Sequence, residues 1–294
     1  MGLIFISLSI LSFGLSNCLW VYPLRQFSFL QVIVLRSFLT TVFFGCFLVI
    51  GSLTHFGIES NGLAQIVEIG KAVALCAFSF FGLYFYVQSL KFEKVSLAVP
   101  ISSISGIFGV LAGIIFLHEA VIINFIGALL LVLIGVNIVN STPFGSYRLS
   151  KGVSYNLLAA FFWGISFALF AIPIKSLGAI SFAFILEITV FVCSLILLRI
   201  ENLKWWFPIH NIFDRYILVL AILGFCGVLF YNLSLIYIPV TEASLLGVLT
   251  TVVSIIIAAL LYKERLTRKQ YIGITFIIVA LALININWCE LSTS

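Results

Sequence analysis

Arg36 and Glu187 are the residues here whose chemistry most needs a partner. Each stands about eight residues into a long apolar run, 28–50 for the arginine and 178–200 for the glutamate. At the centre of a membrane-spanning helix such a charge costs roughly 2.5–3.5 kcal/mol on insertion scales. Groups of this kind pair with one another or face an aqueous path. Two readings stand side by side: a charge-sensing pair beside a solute path, with Glu187 binding a coupling proton, or a structural arginine and a glutamate hydrogen-bonded between helices. Two further acids, Glu119 and Glu264, end apolar runs. Lys263, Arg265 and solvent can satisfy the second, and capping a following helix or a loop salt bridge is the expected role of both.

Other catalytic chemistry is missing from the pattern. The sequence has no Walker A loop, no paired acidic metal motif and no nucleophile elbow. His55, His118 and His210 all fall in or beside loops, so no triad is in prospect. Cys18, Cys46, Cys76, Cys193, Cys226 and Cys289 are scattered singly, without metal-ligand spacing, and read as small packing residues. No cofactor, metal or enzymatic activity is expected.

The elements that hold these residues follow from composition. Hydrophobic residues make up 63% of the 294 positions and charged residues 9%, against about 25% charged in a soluble domain. So little polar material cannot cover a water-facing surface, and lipid must be the solvent. Lipid admits helices and closed barrels alone. The runs lack the alternation of barrel strands, so an all-α integral membrane protein is expected. At roughly 20 residues per crossing, spans read near 2–22, 28–50, 70–90, 95–117, 122–140, 152–173, 178–200, 214–237, 242–262 and 270–288. The apolar start of the chain lacks a basic flank and reads as a first span rather than a signal peptide. Trp205 and Trp206 in the loop 201–213 are suited to the lipid headgroups.

The chain repeats itself. Phe85-Tyr86 through Glu119 lies over Phe230-Tyr231 through Glu264 at a constant offset of 145, with Leu90 on Leu235, Val95 on Val240 and Ala98 on Ala243. Gly14, Ser16 and Pro23 match Gly164, Ser166 and Pro173 at an offset of 150, and Arg36 falls opposite Glu187 one residue further on. Residues 2–140 thus form a first five-helix unit, 141–151 a linker with Pro143 and Gly145, and 152–288 a second unit. An odd number of crossings per unit makes the repeats inverted, related by a pseudo-two-fold axis in the membrane plane.

The cations agree with that inversion. Arg25, Lys91, Lys94, Arg148, Lys151, Arg199, Lys204, Arg215, Lys263, Arg265, Arg268 and Lys269 all lie at loops after odd-numbered spans, against Lys71 and Lys175 at the other face. By the positive-inside rule the odd loops are cytoplasmic and both termini lie outside. The excess of +5 is an orientation signal spread over short loops, not a basic stripe, and no nucleic-acid partner is expected.

Two copies of a unit with a small-residue, Ser/Thr-rich helix, then Glu, then Gln or Asn, then Gly opening the last helix, resemble the EamA family of the drug/metabolite transporter superfamily. Glu264-Arg265-Leu266-Thr267 with Gln270 and Gly273 is the closer copy, while the first keeps Glu119 and Gly127 but has Ala120 and Asn124. The resemblance covers roughly residues 2–288 and implies a ten-helix transporter in a bacterial inner membrane, with a cavity lined by helices 1, 3, 4, 6, 8 and 9. On those helices the groups able to touch cargo are Asn17, Trp20 and Tyr22; Tyr84 and Gln88; Ser102 and Ser103; Trp163 and Ser166; Tyr231 and Asn232; and Thr250 and Thr251. Many such hydroxyls bond back to their own helix. Together they describe a polar site poor in charge, suited to a small zwitterion or neutral metabolite. An anionic nucleotide would want several cations within the helices.

Pro23, Pro100 and Pro173 are either helix terminators or hinges for alternating access. Gly106, Gly109, Gly113, Gly127, Gly247 and Gly273 are expected to permit close helix approach. The expected function is secondary transport of a small organic metabolite, first among them amino acids in the direction of export, with membrane lipids and a coupling proton as partners. The alternatives are another solute class (nucleotide-sugar, nucleoside or drug-like compound), a passive channel, or a membrane enzyme or scaffold without transport. Oligomeric state is not legible from these helices.

Overall fold

A computed structural model describes residues 1–53, 62–93, 95–119, 150–203, 214–263 and 267–286, with residues 127, 128, 130, 131, 134, 135 and 138 between them. The described chain is helical. In the first half lie α1 (Gly2–Leu19), a 3-10 turn (Pro23–Arg25), α2 (Phe29–Leu53), α3 (Gly62–Ser89), α4 (Val95–Ser102) and α5 (Ser105–Leu117). In the second lie α6 (Lys151–Leu169), α7 (Ala171–Leu177), α8 (Ala179–Ile200), α9 (Arg215–Ser234), α10 (Val240–Gly247), α11 (Leu249–Tyr262) and α12 (Arg268–Ile286).

Eight stretches are long and apolar enough to cross a membrane: Gly2–Arg25, Phe29–Ile50, Gln65–Ser89, Ala98–Leu117, Lys151–Leu177, Ala179–Ile200, Arg215–Ser234 and Val240–Tyr262. Within α12 a shorter apolar segment, Tyr271–Ala280, stands where a tenth span is expected. Of the expected fifth span, 122–140, the residues described between 127 and 138 are helical. The protein is a multi-pass membrane protein.

Helix ends are set by local chemistry. Ser150 caps α6, its Oγ accepting from the Val153 amide at 3.1 Å. Asp214 caps α9 by accepting from the Tyr216 and Ile217 amides at 3.0 and 3.3 Å. His118 and Lys263, matched in the repeat, end α5 and α11 in the left-handed region at φ 54° and 53°. Three expected spans are broken in the middle. Pro100 lacks the amide that would donate back to Ser96, and α4 gives way to α5 through the turn at Ser103 and Ile104. Breaks at Phe170 and Val248 separate α6 from α7 and α10 from α11.

Two expectations need correction. Pro173 does not end the sixth span: it is the third residue of α7, which runs on to Leu177. A proline in a first turn loses nothing, because the amides there have no intrahelical acceptor. Helix α3 begins at Gly62 and its spanning stretch at Gln65, not near 70, and Glu68 and Lys71 pair at 2.7 Å one turn apart on that added helical face. Trp205, Trp206, His55, His210, Glu264, Arg265, Asn124, Cys289 and the linker 141–149 lie outside the described residues.

Packing brings the halves together. α1 lies on α9 and α11, α2 on α8, α3 on α6, and α5 on both α6 and α10. The α5–α10 contact is antiparallel: Gly106 faces Val248, Gly109 faces Ser244 and Gly113 faces Thr241. A Cβ at Gly109 would stand 2.5 Å from the Ser244 hydroxyl, so bare backbone is what allows the approach.

Candidate functional site

A cavity of about 140 Å³ lies between α1, α4, α5, α6, α9, α10 and α11. The breaks at Pro100 and Val248 shape it. α4 and α5 deliver Ser102, Ser103 and Ser105, while α10 and α11 deliver Ser244, Thr250 and Thr251. One wall is aromatic. The Trp163 ring lies 6.0 Å from Phe167, and Phe167 lies 5.4 Å from Tyr231. Trp163 also packs 5.2 Å from Tyr86, and its indole occupies space that a side chain at Gly82 would fill.

Four of the eight described hydroxyls lining the cavity are engaged with backbone. Ser9 donates to Gly227 carbonyl at 2.9 Å, Ser102 to Val99 at 2.9 Å, Ser103 to Pro100 at 2.6 Å and Tyr231 to Phe167 at 3.3 Å. Thr251 is different. It is fully buried, lines the cavity, and its hydroxyl meets no partner in the protein. Asn17 reaches Ser254 at 3.5 Å, a weak bond that leaves its amide mostly free. The described residues lining the cavity include no Lys, Arg, Asp or Glu.

Of the residues singled out from sequence, Asn17, Ser102, Ser103, Trp163, Tyr231, Thr250 and Thr251 line this cavity. Trp20, Tyr22, Tyr84, Gln88, Ser166 and Asn232 are not among its walls. Trp20 is buried. Tyr22 stacks on Tyr216 at 4.6 Å, with Tyr262 at 6.1 Å, closing one end of the bundle. Gln88 donates to the Tyr84 hydroxyl at 3.0 Å. Ser166 bonds back to Trp163, and Asn232 donates to the Ala179 carbonyl at 3.3 Å. Helix α3 therefore backs the aromatic wall and does not face the cavity.

Arg36 and Glu187 do meet, 3.0 Å apart and both buried, with Thr40 donating to the same carboxylate oxygen at 2.8 Å. The guanidinium packs on the bare backbone of Gly224. Neither residue lines the cavity. On these two helices, Phe38, Val42, Ile188 and Phe191 border an open apolar groove of about 690 Å³. That groove is larger than the cavity, but its walls are apolar and open outward, as lipid-facing surface should be. The smaller, polar-and-aromatic cavity is the candidate site.

Sequence reading missed two features. Glu119 reaches across the halves: its two oxygens accept from the Val240 and Thr241 amides, each at 2.8 Å. It caps not the next helix but α10, whose cap position is Pro239. The only advance signal was the fixed offset that pairs it with Glu264. Ser9, Phe13, Phe167 and Ser244 also line the cavity. In sequence they look like ordinary members of apolar helices.

The chain matches the EamA-like transporter family over residues 1–141 and again over 150–286. It belongs to that family, whose members are transporters of the drug/metabolite type. A solved crystal structure superposes on it with a TM-score of 0.72 at 15% identity, covering 97% of this chain and 96% of that one, which shows a shared fold. No curated protein matches the sequence.

Proposed function

We propose that this protein is a secondary transporter that moves a small zwitterionic or neutral metabolite through the cavity between two inverted five-helix halves. The observation that carries this is the cavity itself: polar groups and an aromatic wall contributed by both halves, with no charged side chain among its described lining. Sites for drug-sized ligands run to roughly 300–1,000 Å³. A cavity of about 140 Å³ favours a solute of few heavy atoms, such as a small amino acid, over a nucleotide-sugar.

Opposite ends of the cavity are closed by different contacts, as alternating access requires. At one end stands the Tyr22–Tyr216–Tyr262 stack; at the other, Glu119 on the start of α10. The breaks beside Pro100 and at Phe170 and Val248, with the turn at Pro23, are where the helices would flex; Pro173 stiffens the piece beyond one of them. The direction is export from a bacterial cytoplasm across the inner membrane, and both termini face outward. The Arg36–Glu187 pair braces α2 against α8.

The test is counterflow in proteoliposomes loaded with small neutral amino acids. Saturable, stereoselective exchange is expected, falling at least tenfold in Trp163→Ala. Exchange that Trp163→Ala leaves untouched, or silence across the whole panel, overturns the assignment of this cavity and cargo.

A further inference from the structure

Glu242 is only 4% exposed, sits in the first turn of α10, and precedes the cavity-lining Ala243 and Ser244. Its Oε2 is enclosed and meets no hydrogen-bond partner, and among the described residues it makes no ion pair. The reason lies in the sequence around it. A glutamate three residues into a helix normally reaches back to the amide of the cap residue. Here the cap is Pro239, which has no amide hydrogen, and the next two amides are already taken by Glu119. At the matching place in the first half the sequence has Leu97, so the acid is an addition to the repeat, not part of its scaffold.

Burying an unpaired carboxylate is far more costly than burying a neutral acid. Glu119, a second acid, is held on the same helix end, one to two residues away. The other titratable groups at this end are His118 beside Glu119, the Met1 amine and Tyr237, where the start of α1 packs against the approach to α10, and Tyr231 at the cavity. The parts of α6 and α11 that pack here bring no further charge. None of these groups forms an ion pair with Glu242.

We propose that Glu242 is a proton-binding site coupled to the Glu119 clasp. With the clasp closed, Glu242 carries a proton. When Glu119 leaves the Val240 and Thr241 amides, water reaches the start of α10, the O–H bond of Glu242 breaks, and the proton passes to that water. The carboxylate is then hydrated and turned to the freed amides. The ligand is a proton and not the cationic group of a solute, because Glu242 is not among the residues lining the cavity while its helix neighbours Ala243 and Ser244 are. This deepens the transport reading and rests on it, by giving that cavity a coupling ion.

Dicyclohexylcarbodiimide, which adds only to protonated carboxyls in apolar surroundings, is the probe. The full chain in membranes is treated over a pH series and the adduct is located by peptide mass spectrometry. Adduct on Glu242 is expected, falling as pH rises and absent in Glu242→Gln. In Glu119→Gln, which loosens the clasp and lets water reach Glu242, the fall should move to lower pH. No adduct on Glu242 at any pH, or a yield indifferent to pH, overturns the site. An unchanged profile in Glu119→Gln overturns the coupling. Labelling needs no solute, so its failure is separable from failure of the exchange assay, and either can occur without the other.

Discussion

Arg36 and Glu187 illustrate how a charged residue is made tolerable in lipid. The pair is buried, its carboxylate accepts from both Arg36 and Thr40, and Gly224 gives the guanidinium a flat surface to lie on. Breaking a buried pair from one side costs about 3–5 kcal/mol, whereas replacing both partners with apolar groups is often neutral. Glu187→Ala should therefore lower the unfolding temperature in detergent sharply, and Arg36→Met with Glu187→Leu should restore most of it. A double variant as unstable as the single would mean the ion pair contributes more than bracing. Thr251 makes the opposite case. Its hydroxyl has no partner to lose, so Thr251→Val should leave stability intact while weakening solute affinity about fivefold, the equivalent of about 1 kcal/mol for one hydrogen bond. Equal KM values in parent and variant would remove Thr251 from the site.

At the scale of elements, small residues decide how near the halves come. Gly109 is where α5 meets α10, and a side chain there would strike Ser244. Gly109→Val should abolish folded protein, seen as loss of the monodisperse peak in detergent. Gly70, on the exposed part of α3, has nothing within 4 Å, and Gly70→Ala should be tolerated with a gain of about 0.5–1 kcal/mol. Gly247 separates packing from function: it lines the cavity yet has nothing within 4 Å of its absent side chain. Gly247→Val should fold normally and fail in exchange. Retained exchange in that variant would place the solute elsewhere.

For the whole molecule, the count of cations at odd and even loops makes a prediction about sidedness. His118→Cys, at the end of α5, should react with an impermeant maleimide added from outside. Thr267→Cys, before α12, should react only from the cytoplasmic face. Reaction of both from one compartment would contradict the inverted arrangement of the halves. The two copies of the repeated motif differ in charge in the same sense: the copy around Lys263 carries cations that the copy around His118 lacks, as the proposed inversion requires.

Much of the architecture was legible in the chain because lipid leaves few choices. Long apolar runs favour helices there, and the repeat at offset 145 implies two matched units, in line with the family match over residues 1–141 and 150–286. The weak point at Pro100 is local chemistry, visible from neighbours in sequence, whereas the caps at Ser150 and Asp214 appeared with the structure. What tertiary structure alone decided is which side of each helix meets the other half. Tyr84 and Gln88 proved to bond each other away from the cavity, while Ser244 and Phe167 joined its walls, because helices apolar all round carry no stripe that marks their inward face. Glu119 bonds residues 121 and 122 positions away, and by taking those amides beside Pro239, which has none, it leaves Glu242 without a backbone donor. Contacts of that range depend on how two bundles dock, and no local pattern of residues encodes them.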